Sequence, residues 1–395
     1  MDRPIRDRAS EYLRDEQAGG FALLVAAAVA LVWVNVGGVS GYESLWATDL
    51  RLGLGEASIT EDLRHWINDG LMAVFFFLIS LEVKREILRG ELRHPKAAAL
   101  PILAALGGVV VPVLVYLAVA GSGEPAQGWG IPMATDAAFA IAVLAVLGDR
   151  VPVGAKLFLV TLAVVDDVAA ICVIAVAFTS DLAPEWLALT AIGLVAVAAL
   201  FRAGVLRWWL YVVPVVVLWV ATFESGVHAT LAGVALALMV PVHPVRGRNV
   251  LEGLEHRLHP FSSLVVLPLF ALANAGVALG GDALSDPEGQ RVALAVALGL
   301  VVGKFAGVAL ASLAALRFRI GHLPEGVDRR SLMGLAALAG IGFTVSLFIS
   351  PLAFTEPTLL DGAKAGVFAG SVLAAVIGVT MLASGGRHAS HDRSA

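Results

Sequence analysis

The sequence predicts an all-α polytopic membrane protein of about twelve transmembrane helices, and three observations carry that expectation. Of its 395 residues 58% are hydrophobic and only 15% charged, with mean hydropathy +0.85. A soluble chain of this size carries about a quarter charged residues. Apolar stretches near or above 18 residues recur from end to end, long enough to cross the ~30 Å hydrocarbon core as helices. The basic residues of the connecting segments fall almost entirely on alternate loops, the asymmetry that orients membrane helices. The bilayer is therefore the first partner expected, and nothing points to nucleic acid. The net charge of -5 says little, because placement matters more than the sum. The single cysteine, Cys172, excludes an intrachain disulfide, and no CxxC or His/Cys metal spacing occurs.

In chain order, residues 1–17 form a charged amphiphilic segment expected on the cytoplasmic side. The apolar run 18–39 is too long for a signal-peptide core and reads as a retained first span. Further spans are expected at 61–83, 97–119, 130–147, 153–178, 183–201, 207–222, 225–241, 260–280, 290–315, 331–352 and 358–383. Loops on the N-terminal side hold the arginines and lysines at 84–96, 150–156, 202–207, 246–257 and 317–330, while the opposite loops hold only Arg51 and Arg291. Both termini are thus expected in the cytoplasm, with an even number of spans. Residues 18–383 read as one transmembrane domain. The Gly/His/Ser/Arg-rich tail 384–395 reads as disordered. Its His388 and His391 read as tail composition rather than a metal site. The outward segment 40–60 alternates around Arg51-Leu52-Gly53-Leu54. It is either a small β-hairpin whose edge pairs with a second copy, giving a homodimer, or an ordinary loop.

Two spans look broken. In the fourth, Gly128-Trp129-Gly130-Ile131-Pro132 leads into Ala134-Thr135-Asp136. In the eleventh, Gly340-Ile341-Gly342 interrupts an apolar run. Each is the middle span of a group of three, so the segments 97–178 and 290–383 read as two inverted three-helix repeats with crossing broken helices. Interrupted helices at matching positions of two halves mark a transport site at the crossing.

Thr135, Asp136, the adjacent Asp166 and Asp167, and Lys304 share the expected membrane interior. A charge at mid-bilayer costs about 2.5–3.5 kcal/mol on insertion scales, so such groups face a cavity or a partner. One buried lysine opposite several carboxylates implies an ion pair. Neighbours on a helix diverge by ~100°, so Asp166 and Asp167 cannot both meet Lys304. The residues alone leave open which does. A carboxylate such as Asp136 would offset facing helix N-termini, and Lys304 facing C-termini, each carrying about half a unit charge. Carboxylates, the Thr135 hydroxyl and unwound carbonyls suit a hard monovalent cation. A site of this kind holds protons or a cation but not both, and that competition suffices for exchange.

Long runs of the sequence resemble the NhaA-type sodium/proton antiporters over nearly the whole chain. They are Trp66-Ile67-Asn68-Asp69-Gly70-Leu71-Met72-Ala73-Val74-Phe75-Phe76, Leu81-Glu82-Val83-Lys84-Arg85-Glu86, Ala134-Thr135-Asp136, Asp166-Asp167, Ser225-Gly226-Val227-His228-Ala229-Thr230, Leu254-Glu255-His256, Gly303-Lys304 and Gly340-Ile341-Gly342-Phe343-Thr344. That family is itself an example of the inverted-repeat class, so the broken-span expectation and the resemblance are not independent. The resemblance implies electrogenic exchange in the bacterial inner membrane. Two protons enter for each sodium or lithium expelled, with these ions as cargo and no cofactor. It implies that Asp166 and Asp167 carry the cation and protons, and that Lys304 pairs with Asp166. Thr135, Asp136, Lys304, Gly340 and Gly342 then lie at the crossing. A pH response is implied for Glu82, Lys84, Arg85, Glu86, Glu255, His256, His259 and His228. Read as residues alone, the mixed cluster at these span ends changes charge near neutrality, or is a solvated positive-inside loop. His228 reads equally as a packing histidine. One departure stands out: Glu252 and Gly253 occupy places that are basic in the family member compared, which reverses or removes the charge there.

The rival readings fit less well. An intramembrane aspartyl protease also needs two membrane-embedded acids, but no intramembrane Gly-x-Gly-Asp occurs; Gly280-Gly281-Asp282 lies at a span end. A symporter of anions would need a net positive cavity, whereas three carboxylates face one lysine. A passive channel would dissipate gradients without coupling.

Overall fold

A computed structural model describes residues 5–54, 57–148, 151–179, 182–278 and 285–385. Residues 386–395 of the expected tail lie outside that set. The molecule is an all-α membrane protein with, among the described residues, one small hairpin. Among the described residues, seven helices are long and apolar enough to cross a membrane: Ala18–Gly37, Pro95–Ala120, Val153–Ala177, Pro184–Arg202, Pro287–Arg317, Arg329–Ala353 and Pro357–Ser384. A bent pair, Glu124–Met133 and Ala137–Val146, makes an eighth. The remaining expected spans fall within helical runs at 63–89, Trp209–Glu224, Thr230–Met239 and 250–274.

Local chemistry sets the helix ends. Pro95–Ala120, Pro184–Arg202 and Pro287–Leu298 each begin with proline in the first turn, where no amide donor is lost. Pro95–Ala120 stops at Gly121, whose φ of 77° favours glycine. Asp286 caps its helix by accepting from the Glu288 and Gly289 amides, each at 2.9 Å.

Packing is set by small residues. The third and tenth spans cross at Gly107 and Gly307, where a Cβ on either would sit 2.3 or 2.1 Å from the other's carbonyl oxygen. Glycines at such crossings let backbones meet, which drives helix association where lipid is as apolar as the side chains. The eleventh span is the innermost, 94% buried, and the sixth is peripheral at 11%. A satellite core of Leu81, Ala237, Val240 and Leu251 ties the ends of the second and eighth spans to the helix that leads into the ninth.

The segment after the first span holds a helix, Val39–Trp46, and then an antiparallel hairpin, Asp49–Leu54 with Ala57–Asp62, pairing Arg51 with Thr60 and Leu52 with Ile59. The second strand runs on to Asp62, so the second span begins at Leu63 rather than 61. Glu43 binds Arg64 through two hydrogen bonds of 2.9 and 3.0 Å, and Tyr42 donates to the Leu272 carbonyl at 2.9 Å. These contacts pin the segment between the first and second spans to the bundle.

Candidate functional site

Both broken spans unwind at the centre of the bundle. In the fourth, the Gly-Trp-Gly-Ile-Pro stretch stays helical as a tight 3-10 segment, Glu124–Met133, and the break falls just after it, at Ala134–Asp136, with a 53° bend. In the eleventh, Arg329–Leu338 and Phe343–Ala353 flank the break. The two unwound segments touch: the Asp136 amide donates to the Ile341 carbonyl at 2.7 Å. A Cβ on Gly340 would lie 2.4 Å from the Leu300 carbonyl oxygen, and one on Gly342 2.4 Å from Ser346 Oγ. At Gly340 a second backbone needs the space, and at Gly342 a serine hydroxyl does.

Asp136 sits where two helix N-termini converge. Its Oδ1 accepts from the Phe139 amide at 3.0 Å, and its Oδ2 from the Thr344 amide at 3.0 Å and the Thr344 hydroxyl at 2.7 Å. One carboxylate thereby meets the positive ends of Ala137–Val146 and Phe343–Ala353. Lys304 does the converse. It is fully buried in a π turn, Gly299–Lys304, that interrupts the tenth span. Its Nζ donates to the Met133 carbonyl, at the negative end of the 3-10 segment, and to Asp166 Oδ2 at 2.6 Å. π turns recur at functional positions in helices.

Asp166 is sealed from solvent. The same Oδ2 lies 2.6 Å from the Thr135 hydroxyl, which also stands 2.8 Å from the Ala339 carbonyl, so one hydroxyl proton is shared between two acceptors. Asp166 Oδ1 is buried and has no hydrogen-bond partner among the described residues. Asp167 points elsewhere, as the ~100° step along the helix requires. It lines a cavity of about 70 Å³ together with Thr135, Asp136, Thr344, Glu82 and His259. One acid is therefore held by a lysine, and its neighbour faces a space lined by both apolar groups and oxygen-bearing side chains from several elements.

The residues singled out for pH response divide. Glu82 and His259 line the cavity with Asp167. Lys84 donates to the Leu238 and Val240 carbonyls at 2.7 and 2.6 Å, capping the helix Thr230–Met239. Arg85 pairs with Glu255. Burial raises the Glu255 carboxyl above its ordinary range, with Arg85 pulling the other way. Glu86 and the exposed His256 stand outside the cavity lining. Glu252, one of the two departures from the family pattern, pairs with Arg89 at 2.9 Å, while Gly253 faces open space. His228 lies apart from the cavity, its ring edge-on to Phe348 and its Nδ1 3.9 Å from Asp69, which also binds His65 at 2.9 Å.

Several contributors escaped the sequence reading. The Met133 and Ala339 carbonyls are backbone atoms, invisible to side-chain inspection. Ser262 and Ser263 line the cavity from a π turn in the ninth span. Thr344 itself is visible in the sequence, at the depth of the eleventh-span break; its bonds to Asp136 through amide and hydroxyl are what the sequence does not show.

Known proteins point the same way. Residues 10–382 match a family model described as Na+/H+ antiporter 1. The Na(+)/H(+) antiporter NhaA of Salmonella arizonae is 45% identical over 376 residues, 94% of this chain and 96% of that protein. That of Salmonella typhimurium matches to the same extent, and that of Escherichia coli O139:H28 is 44% identical over the same shares. The matched region takes in both breaks, the aspartate pair and the lysine, and the chain belongs to the Na+/H+ antiporter 1 family, whose members are transporters and not enzymes.

Proposed function

We propose that the chain exchanges cytoplasmic sodium, or lithium, for external protons across the bacterial inner membrane, two protons per cation and with both termini inside. The observation that carries this reading is the division of the pair: Asp167 lines the cavity while Asp166 is held by Lys304 and Thr135. A cation entering the cavity meets the Asp167 carboxylate first. Moving Asp166 off Lys304 adds a second carboxylate, and Thr135 adds a hydroxyl, an all-oxygen set suited to a small hard cation. Protons compete for the same oxygens, so the loads alternate. The Asp166–Lys304 pair holds one proton, on the lysine, and Asp167 a second; when the cation takes both carboxylates Lys304 gives up its proton, so two protons leave for one sodium in an electrogenic cycle. Asp136 and Lys304 hold the facing helix ends in register while the crossing moves. Glu82 and His259, at the cavity wall, and the Arg85–Glu255 pair are the groups through which cytoplasmic pH acts. The hairpin 49–62 is the contact of a homodimer.

The test uses inside-out vesicles carrying a pH-sensitive dye. Adding sodium or lithium to energised vesicles releases stored protons, and Asp167→Asn abolishes that response. Wild-type exchange by the Asp167→Asn protein refutes the assignment. Dissipation of a sodium gradient without proton movement refutes antiport in favour of a channel.

A further inference from the structure

A second, larger groove of about 780 Å³ opens at the end of the bundle where the third and fifth spans begin. Residues 322–326 of the loop between the tenth and eleventh spans line part of it. A Cβ on Gly154 would lie 2.4 Å from the Glu325 carbonyl oxygen, and one on Gly321 2.9 Å from Leu100. The loop is thus packed directly on both helices, and the groove is preformed.

Its lining is mixed in chemistry. Pro101, Leu157 and Phe158 line it with apolar groups. Lys96, His322 and Glu325, all exposed, line it with charged or polar ones. Lys96 and His322 make no hydrogen bond or ion pair with any described residue. Thr161, 5% exposed, also lines it, and its hydroxyl likewise has no partner among them. Just before the lining residues in the chain, Phe318 and Ile320 are 73% and 53% exposed and alternate with Arg317 and Arg319. Apolar side chains interleaved with arginine are the pattern of a membrane–water interface, and basic pockets between spans at that level bind lipid headgroups.

A small soluble anion would gain from Lys96 and His322, but nothing from the apolar groups, and Glu325 would oppose it. A phospholipid with a primary ammonium in its headgroup satisfies all of these groups at once. We propose that this groove binds such an aminophospholipid. Its phosphate sits at Lys96 and His322, its ammonium at Glu325, its ester region over Thr161, and its first acyl methylenes along Pro101, Leu157 and Phe158. The leaflet is the inner one on the orientation proposed above. The binding itself does not depend on that orientation or on the transport assignment.

The test is thermal unfolding of the purified full-length protein in detergent, titrated with phosphatidylethanolamine, phosphatidylglycerol, phosphatidylcholine or inorganic phosphate. Phosphatidylethanolamine is expected to raise the melting temperature saturably, at a midpoint about tenfold lower than the other two lipids. Lys96→Glu is expected to shift that midpoint up about tenfold, and Glu325→Gln to erase the preference over phosphatidylglycerol. A photoactivatable phosphatidylethanolamine should label wild-type protein within 95–101 or 153–161, which covers the case of a variant that fails to fold. Equal responses to the three lipids, an unmoved midpoint in Lys96→Glu, an equal response to inorganic phosphate, or labelling confined elsewhere would each overturn the proposal. Sodium/proton exchange by Lys96→Glu in phosphatidylcholine liposomes should equal that of the wild type, which separates this site from the transport site.

Discussion

Lys304 joins two balances that are usually kept separate. It neutralises Asp166 and it caps the Met133 carbonyl at a helix end, both away from solvent. Removing one partner of a buried pair leaves the other charge uncompensated, at a cost of about 3–5 kcal/mol. Lys304→Ala should therefore melt well below wild type in detergent while retaining weakened exchange; an unchanged melting temperature would sink the ion-pair role. Thr135 offers a finer test. Thr135→Ser keeps the hydroxyl between Asp166 and Ala339, whereas Thr135→Val removes it and should cost about 1–3 kcal/mol, the desolvation penalty of buried acceptors left bare. Equal melting of the serine and valine variants would show that packing, not the hydroxyl, matters there.

At the level of elements, the breaks work because each helix end has its own cap. The Arg329–Leu338 half of the eleventh span starts at Asp328, whose Oδ1 accepts from the Ser331 amide at 2.7 Å. Hydrogen bonds from Ser331 hold the Asp328 carboxyl below its ordinary value. A depressed carboxylate stabilises the fold above its unfolded pKa of ~3.9, and that contribution is lost as pH falls through the lower folded value. Asp328→Ala should thus cost about 0.5–2 kcal/mol at neutral pH, with the difference from wild type shrinking on acidification. A pH-independent difference would mean that the cap acts without its charge. The Gly107–Gly307 crossing is the second element-scale device. Gly307→Val forces its side chain into the Gly107 carbonyl. Overpacking of this kind costs about 1–3 kcal/mol, and because Lys304 lies one turn away the variant should also lose transport. Full transport with normal melting would show that the spans can separate there freely.

For the whole molecule, the hairpin is the place to test assembly. The strand Asp49–Leu54 carries the exposed Leu50 and Leu52 on a two-stranded sheet that no third strand joins among the described residues. Such edges pair with other strands unless blocked. In a Cys172→Ser background, needed because Cys172 is exposed, Leu52→Cys should form a disulfide-linked dimer on mild oxidation in membranes. Monomer alone after oxidation would remove the hairpin from the interface.

The membrane class, the run of spans and the family were all legible in the chain, because hydropathy and motif order are local properties of sequence. The polar residues of the site were legible too, since Asp136, Asp166, Asp167 and Lys304 stand out against an apolar background. What the residues read by themselves left open was direction, although the resemblance implied the Asp166–Lys304 pair that the structure contains. A helical step separates Asp166 from Asp167, but only the packing of the fifth span between the tenth span and the cavity decides which one meets Lys304. The same holds for Lys84 and Arg85, neighbours in one charged run: the first caps the eighth span and the second pairs with Glu255. It holds for the Met133 and Ala339 carbonyls, which became part of the site only when two unwound backbones were brought together. Composition determined that charge would be handled inside a membrane. The three-dimensional crossing decided which atom handles it, because hydrogen bonds and ion pairs depend on distance across the fold and not along the chain.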